Sequence, residues 1–270
     1  SGVISMKFMQ WYISKLISTN NLSNDQETNL SYFEDIFDDC PKHDINESIN
    51  IFKDNFKSDI KDIVDYESLE IIASGSIGQV YKAKLLDGRI VAIKVKHPKI
   101  EDIKNYQLPI LYLLDKIQKT KYFKNKYDLH FELRNFIEDL ILQLDFKNEV
   151  FNNLKFYKNF KNSEAVIIPK VYYYSNDIII SSYEDGISYK KIDNKYKKKK
   201  IALNFHCFNL NTLLVDNFIH GDLHQGNWKI REVDNTQKLI IYDFGICFKS
   251  EDRETTKKVW HSFENYNTKD

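Results

Sequence analysis

Between residues 69 and 98 the chain reads LEIIASGSIGQVYKAKLLDGRIVAIKVKHP, and no other stretch restricts the fold as much. Apolar and polar residues alternate there, the period of a half-buried strand. Asp87-Gly88 supplies the residues of a hairpin turn. Strands are expected at about 69–73, 79–86 and 89–96, an antiparallel meander. Around this core the period changes to helical. Residues 3–18 (VISMKFMQWYISKLIS), 30–38 and 46–65 read as helices, with a polar loop at 20–30 and a break around Pro41. Beyond Pro98, helices are expected at about 99–119, 128–160 and 197–217. Two strands joined at Ser175-Asn176-Asp177 and a hairpin around Asp234-Asn235 lie among them, and the last twenty residues read as a fraying helix. The class is α+β.

With 42% hydrophobic and 29% charged residues over 270 positions, the chain can bury one large core or two smaller ones. Net charge is zero but unevenly spread: residues 1–70 carry 14 acidic against 6 basic residues, and the remainder 33 basic against 25 acidic. A basic body suits an anionic ligand. Cys40, Cys207 and Cys247 show no metal-ligand spacing and read as reduced, intracellular thiols. No apolar run is long enough to span a membrane, and no signal peptide is expected. The run KYKKKKI at 195–201 reads as a solvated helix start, with contact to phosphate or an anionic membrane surface as the alternative.

The chain has only 8 glycines, and seven of them fall in motifs or turns. ASGSIGQV at 73–80, between two expected strands, fits a phosphate-cradling G-x-G-x-x-G-x-V loop, with Ala73 in the first glycine position, then Gly75, Gly78 and Val80. Ser74 and Ser76 complete it. VAIK at 91–94 follows one hairpin later, so Lys94 is placed to neutralise nucleotide phosphates and Ala92 lies beside it. A lysine so used needs an acidic partner: Glu149 is the better candidate and Asp145 the second, four apart and so on one helical face. FIHGDLHQGN at 218–227 sets Asn227 five residues after Asp222, the spacing of a catalytic loop in which the aspartate orients the nucleophile and the asparagine holds Mg²⁺. IIYDFG at 240–245 is an apolar strand ending in Asp-Phe-Gly, where Asp243 would bind the same cation.

In this order the motifs are those of a protein kinase, but H-G-D-L-H-x-G-N departs from the usual catalytic loop. Residues 73–100 closely resemble the UbiB-type (aarF-domain, ADCK) atypical kinase family, in which the phosphate loop is Ala-rich and the lysine strand runs into His-Pro. KFMQ at 7–10 is similar to that family's K-x-G-Q extension motif. The resemblance implies a Lys94–Glu149 ion pair and a catalytic and metal set of Asp222, Asn227 and Asp243. It further implies that Lys7 and Gln10 fold over the pocket toward the acidic pair represented by Gln143 and Asp145, blocking a peptide groove. Ser182 and Tyr183 occupy the hinge. Met9, Gln143, Gly75 and Ser182 each differ from the family's usual residue, and only 25 residues follow Gly245, so a reduced C-lobe is expected.

The expected architecture is therefore a two-lobed, protein-kinase-like α+β fold. It has a helical extension at 1–66, an antiparallel N-lobe with inserted helices at 67–183, and a reduced helical C-lobe at 184–270. The expected ligands are ATP and Mg²⁺, with phosphoryl transfer or ATP hydrolysis as the activity. The resemblance implies a role in quinone or lipid metabolism, with pathway proteins, lipids or peripheral membrane contact as partners and no nucleic acid. A small-molecule kinase of aminoglycoside or choline type, a nucleotide-binding pseudokinase scaffold and a lipid-binding module that ignores ATP are the alternatives.

Overall fold

The computed structural model describes residues 3–18, 40, 42–127, 131–234 and 236–249. The expected loop at 20–30, the helix at 30–38 and the terminal helix lie outside the described residues. The chain divides into two compact units, Ser1–Asn148 with Tyr172–Tyr183, and Glu149–Val171 with Glu184–Asp270.

The first unit opens with α1 (Val3–Ser18) and α2 (Ile45–Phe56). Asp44 caps α2 by accepting from Asn46 N–H, and Lys57 ends it in the left-handed region at φ 56°. Asp59 then opens a single 3₁₀ turn, Ile60–Asp62, in a capping box with Asp62. The helix expected over 46–65 is therefore cut at Phe56, and the chain is already extended at Val64. Strands β1 (Val64–Ser74), β2 (Gly78–Leu85) and β3 (Ile90–Lys96) form the anticipated meander, with β1 longer than its apolar pattern suggests. A helical turn at Ile100–Asp102 and a π-turn at Ile103–Gln107 lead into α3 (Leu108–Gln118), followed by α4 (Lys121–Lys126) and α5 (Leu133–Leu144). Fully buried Asp115 of α3 is held by Arg134 of α5 at 2.7 Å. Phe8 of α1 packs edge-on against Phe131 and Phe136, and Trp11 donates its indole N–H to Asp139 at 2.8 Å.

Next comes α6 (Phe146–Phe160). The single helix expected over 128–160 is thus two, broken at Asp145, whose extended backbone (φ −102°, ψ 97°) ends α5 while its Oδ1 accepts from Lys147 N–H. Residues 128–130 lie outside the described residues. Then follow β4 (Val166–Ile167), β5 (Val171–Tyr174) and β6 (Ile178–Ser182). The five-stranded sheet runs β1-β2-β3-β6-β5. Its core face carries Tyr81, Ala83, Val91, Ile93, Val95, Ile178 and Ile180, packed with Phe52 of α2.

In the second unit, α7 (Lys195–Leu210) starts at Asn194, which accepts from Lys197 N–H, and passes at Asn211–Val215 into a π-turn instead of continuing to 217. Lys197 pairs with Glu232 at 2.6 Å and Lys195, Lys199 and Lys200 are exposed, as a solvated helix start requires. Short β7 (Ile219–His220) pairs with β10 (Cys247–Phe248), while β8 (Trp228–Val233) and β9 (Thr236–Ile241) form the expected hairpin, with β4 parallel to β9. Asp234 turns that hairpin at φ 48°. The core joins Phe156 and Phe160 of α6 to Phe208, Phe218, Ile230, Ile241 and Phe244. Among the described residues no helix is long and apolar enough to cross a membrane.

Candidate active site

Ala73, Val80, Ala92 and Lys94 share one side of the first unit's sheet. Strand alternation sends Tyr81, Ile93 and Ile180 into the core and their neighbours to the opposite face. There Ala73 lies across from Val80, Val80 from Lys94, Lys94 from Ile179, and Ala92 from Ser181. Lys94 Nζ stands 5.2 Å from the ring centre of buried Phe146. At the end of β6, Ser182 pairs with Val91, and Tyr183 N–H bonds to Ile90 O at 3.1 Å.

The loop between β1 and β2 is tight, with Gly75 N–H donating to Gly78 O at 3.0 Å. A Cβ on Gly78 would come within 2.7 Å of the Val95 carbonyl oxygen, so glycine is obligatory there. Gly75 is less constrained. Its φ is not left-handed, and a Cβ would meet only Gly78 O at 3.7 Å, an ordinary contact. Buried Ser74 and Ser76 flank it, and Ser76 Oγ has no hydrogen-bond partner among the described residues. An orphaned hydroxyl costs free energy unless a further group meets it.

In the second unit a closed ring of hydrogen bonds joins His220, Asp222, Asn227 and Tyr242. His220 Nε2 lies 3.0 Å from Tyr242 O and must donate to it, because a carbonyl only accepts. Its Nδ1 therefore accepts from Asp222 N–H at 3.2 Å. Asn227 Nδ2 donates to Asp222 O at 2.8 Å, and Tyr242 N–H donates to Asn227 O at 2.8 Å. Burial pushes the imidazole of His220 below its ordinary pKa, in keeping with this neutral tautomer. Because Asn227 Nδ2 is engaged, the donor it can still offer a cation is oxygen. Asp243, next to Tyr242, adopts φ 52°, uncommon for a residue with a side chain, and accepts from Gly245 N–H at 3.2 Å. Burial, and then the carboxylates of Asp243 and Glu149, raise the Cys247 thiol pKa, a sign of local negative potential. An asparagine oxygen and an aspartate in such a field suit a hard divalent cation.

The remaining residues fall in both units. Lys94 belongs to the first unit, while Glu149, 8% exposed, opens the second. Asp145 and Glu149 do not share a helical face, because Asp145 precedes α6. Asp145 is exposed; Lys7 and Gln10 are half-buried on α1. Sequence reasoning missed two contributors. His220 was read only as the start of a motif, yet it closes the ring. His97 was noted only within His-Pro, yet its Nε2 lies 2.8 Å from Gly75 O.

Residues 35–270 match the profile described as the ABC1 atypical kinase-like domain. The chain belongs to that family. This ABC1 domain is 31% identical over 248 residues to a probable serine/threonine-protein kinase abkC of Dictyostelium discoideum, covering 87% of this chain and 34% of that protein. It is 26% identical over 220 residues to AarF domain-containing kinase 1 of Drosophila melanogaster, covering 77% and 41%. The ABC1 domain thus spans about a third to two-fifths of the length of these curated relatives. Among solved structures it resembles that of the Rv3197–erythromycin complex from Mycobacterium tuberculosis, with TM-score 0.67 and 20% identity over 77% of this chain and 53% of that one. The fold is protein-kinase-like, as the motif order implies.

Proposed function

We propose that this ABC1 domain binds Mg²⁺-ATP and either transfers the terminal phosphoryl group or hydrolyses it. The observation that carries this reading is the hydrogen-bonded ring through His220, Asp222, Asn227 and Tyr242. It fixes the backbone of Asp222 and Asn227, and Asp243 directly follows Tyr242 in the chain. Preorganisation of this kind is what phosphoryl transfer requires, since the protein's part is positioning and electrostatics. Asp222 would orient the attacking hydroxyl or water, and Asn227 and Asp243 would hold Mg²⁺. That cation, when bound, neutralises charge on the phosphate oxygens. Lys94 and the backbone N–H groups of Ser76 and Gly78 would meet the phosphates, with the Ser76 hydroxyl an additional donor. Val80 and Ala92 would offer apolar contact to the base, and the backbone of Ser182, beside Tyr183, hydrogen bonds to its edge.

The family resemblance alone supports placing the process in quinone or lipid metabolism, and supports Lys7 and Gln10 as a lid near Asp145. The test of nucleotide binding is thermal unfolding with ATP or ADP, with and without Mg²⁺, followed by phosphate release. At nucleotide near 100 times Kd the stabilisation is about 2.7 kcal/mol. Lys94→Ala and Glu149→Gln should each reduce it. No shift in the wild type with either nucleotide would sink the reading.

A further inference from the structure

We propose that His97 is a positioning residue for the phosphate loop, and that His43 selects the tautomer in which it acts. The proposal rests on the reading of residues 75–78 as that loop. His97 holds the loop at two points: its backbone N–H donates to Ile77 O at 2.9 Å, and its Nε2 lies 2.8 Å from Gly75 O. A carbonyl oxygen only accepts, so Nε2 carries the proton and Nδ1 is left as an acceptor. That Nδ1 lies 2.7 Å from His43 Nδ1, so His43 must be the donor. His43 Nε2 must then accept, and its partner is Ser48 Oγ at 2.6 Å. Ser48 Oγ in turn takes a proton from Tyr81 OH at 2.7 Å, and Tyr81 OH accepts from Gln79 Nε2 at 2.5 Å. Gln79 Oε1 accepts from His43 N–H at 3.1 Å, which fixes the amide's orientation. The relay has one self-consistent set of donors, and both imidazoles in it are neutral.

Ser48, Gln79 and Tyr81 are 3%, 0% and 1% exposed, beside an otherwise apolar sheet face. Polar groups so deeply buried are costly unless paired, and here the pairing runs out to a carbonyl of the phosphate loop. The peptide plane explains why that carbonyl matters. In a trans peptide the C=O and the next N–H point in opposite directions, so anchoring Gly75 O on His97 turns Ser76 N–H away from His97.

Adding a proton to His97 would set N–H against N–H across 2.7 Å unless His43 moved its own proton to Nε2, toward Ser48 Oγ. The titratable groups facing the pair are Asp44, Glu47 and Tyr81. The two carboxylates favour a proton, but burial outweighs them and both histidines are pushed below 6.5. The paired geometry behind the loop is therefore intact above that pH and disturbed as His97 takes up a proton, while its Nε2–H still faces Gly75 O.

The experiment titrates Mg²⁺-ATP into wild type, His97→Leu and His97→Gln across about pH 8 to 5.5, with ¹⁵N NMR of the histidine rings. In the wild type, affinity should hold above about pH 6.5 and fall below it. His97→Leu should bind roughly three- to tenfold more weakly at neutral pH and lose the acid decline. Glutamine can keep an N–H toward Gly75 O, so His97→Gln should recover most of the affinity and also lose the decline. At neutral pH the spectra should show His97 protonated on Nε2 and His43 on Nδ1. Equal affinities and pH profiles for wild type and His97→Leu, or the opposite tautomers, overturn the proposal. If the wild type binds no Mg²⁺-ATP, the nucleotide reading fails and the positioning role with it, while the spectra still show whether the relay exists.

Discussion

Gly75 and Gly78 stand three residues apart in one loop and differ in what they permit. A Cβ at Gly78 would strike backbone, the Val95 carbonyl at 2.7 Å, whereas at Gly75 there is room for one. Gly78→Ala should therefore lower stability by about 1–3 kcal/mol, as overpacking does. Gly75→Ala should leave it unchanged or raise it by up to about 1 kcal/mol, through a less flexible unfolded chain. Urea unfolding of both variants checks this, and a comparable loss at Gly75 would contradict it. Gly221 is also crowded, but by side chains: a Cβ there would lie 2.7 Å from Ile246 Cγ2 and 2.9 Å from Phe248 Cε1. The glycine of His-Gly-Asp is thus explained by the close pass of β10. Its identity was legible in the sequence but that reason was not, since β10 pairs with β7 across a gap in sequence that no local pattern reveals.

Elements were legible in their interiors and illegible at their ends. The strands β2 and β3 follow from alternation alone, because burial on one face imposes a period of two. The ends of α2 and α5 were missed because a left-handed Lys57 and an extended Asp145 decide them, and neither residue type announces a stop. What ties α2 to the sheet is chiefly Phe52, fully buried against the core face. Phe52→Ala should cost about 3–5 kcal/mol in urea unfolding; a loss below about 1 kcal/mol would mean that α2 is not docked as described. Three elements also carry histidines held neutral: His43 before α2, His97 after β3 and His220 on β7, each with its pKa lowered, in the first place by burial. Below their ordinary value of 6.5 the unfolded chain binds more protons than the folded one. Stability is thus fully present above about pH 6.5 and declines as the pH falls toward the folded values. Denaturation midpoints measured between about pH 8 and 5 should show this decline, and a flat profile would contradict the neutral tautomers.

At the scale of the molecule, the motifs form one ordered series distributed over two units. Residues 73–80 and Lys94 lie in the first, and Glu149, residues 218–227 and Asp-Phe-Gly in the second. The fold was legible because each motif occurs at a set interval with the right element between it and the next. The ring around Asp222 and the histidine relay were not, because both join residues distant in sequence through hydrogen bonds that leave no periodic trace. The central claim is that Asp243 belongs to a Mg²⁺ site for a nucleotide. Asparagine tolerates the left-handed backbone about as well as aspartate and keeps an oxygen for Gly245 N–H, so Asp243→Asn should fold like the wild type. Calorimetric titration of ATP into both proteins, with and without Mg²⁺, is the most direct test. The wild type should bind at least about tenfold more tightly with Mg²⁺, a difference of about 1.4 kcal/mol, and Asp243→Asn should show no such gain. The same Mg²⁺-dependent gain in Asp243→Asn would contradict the assignment.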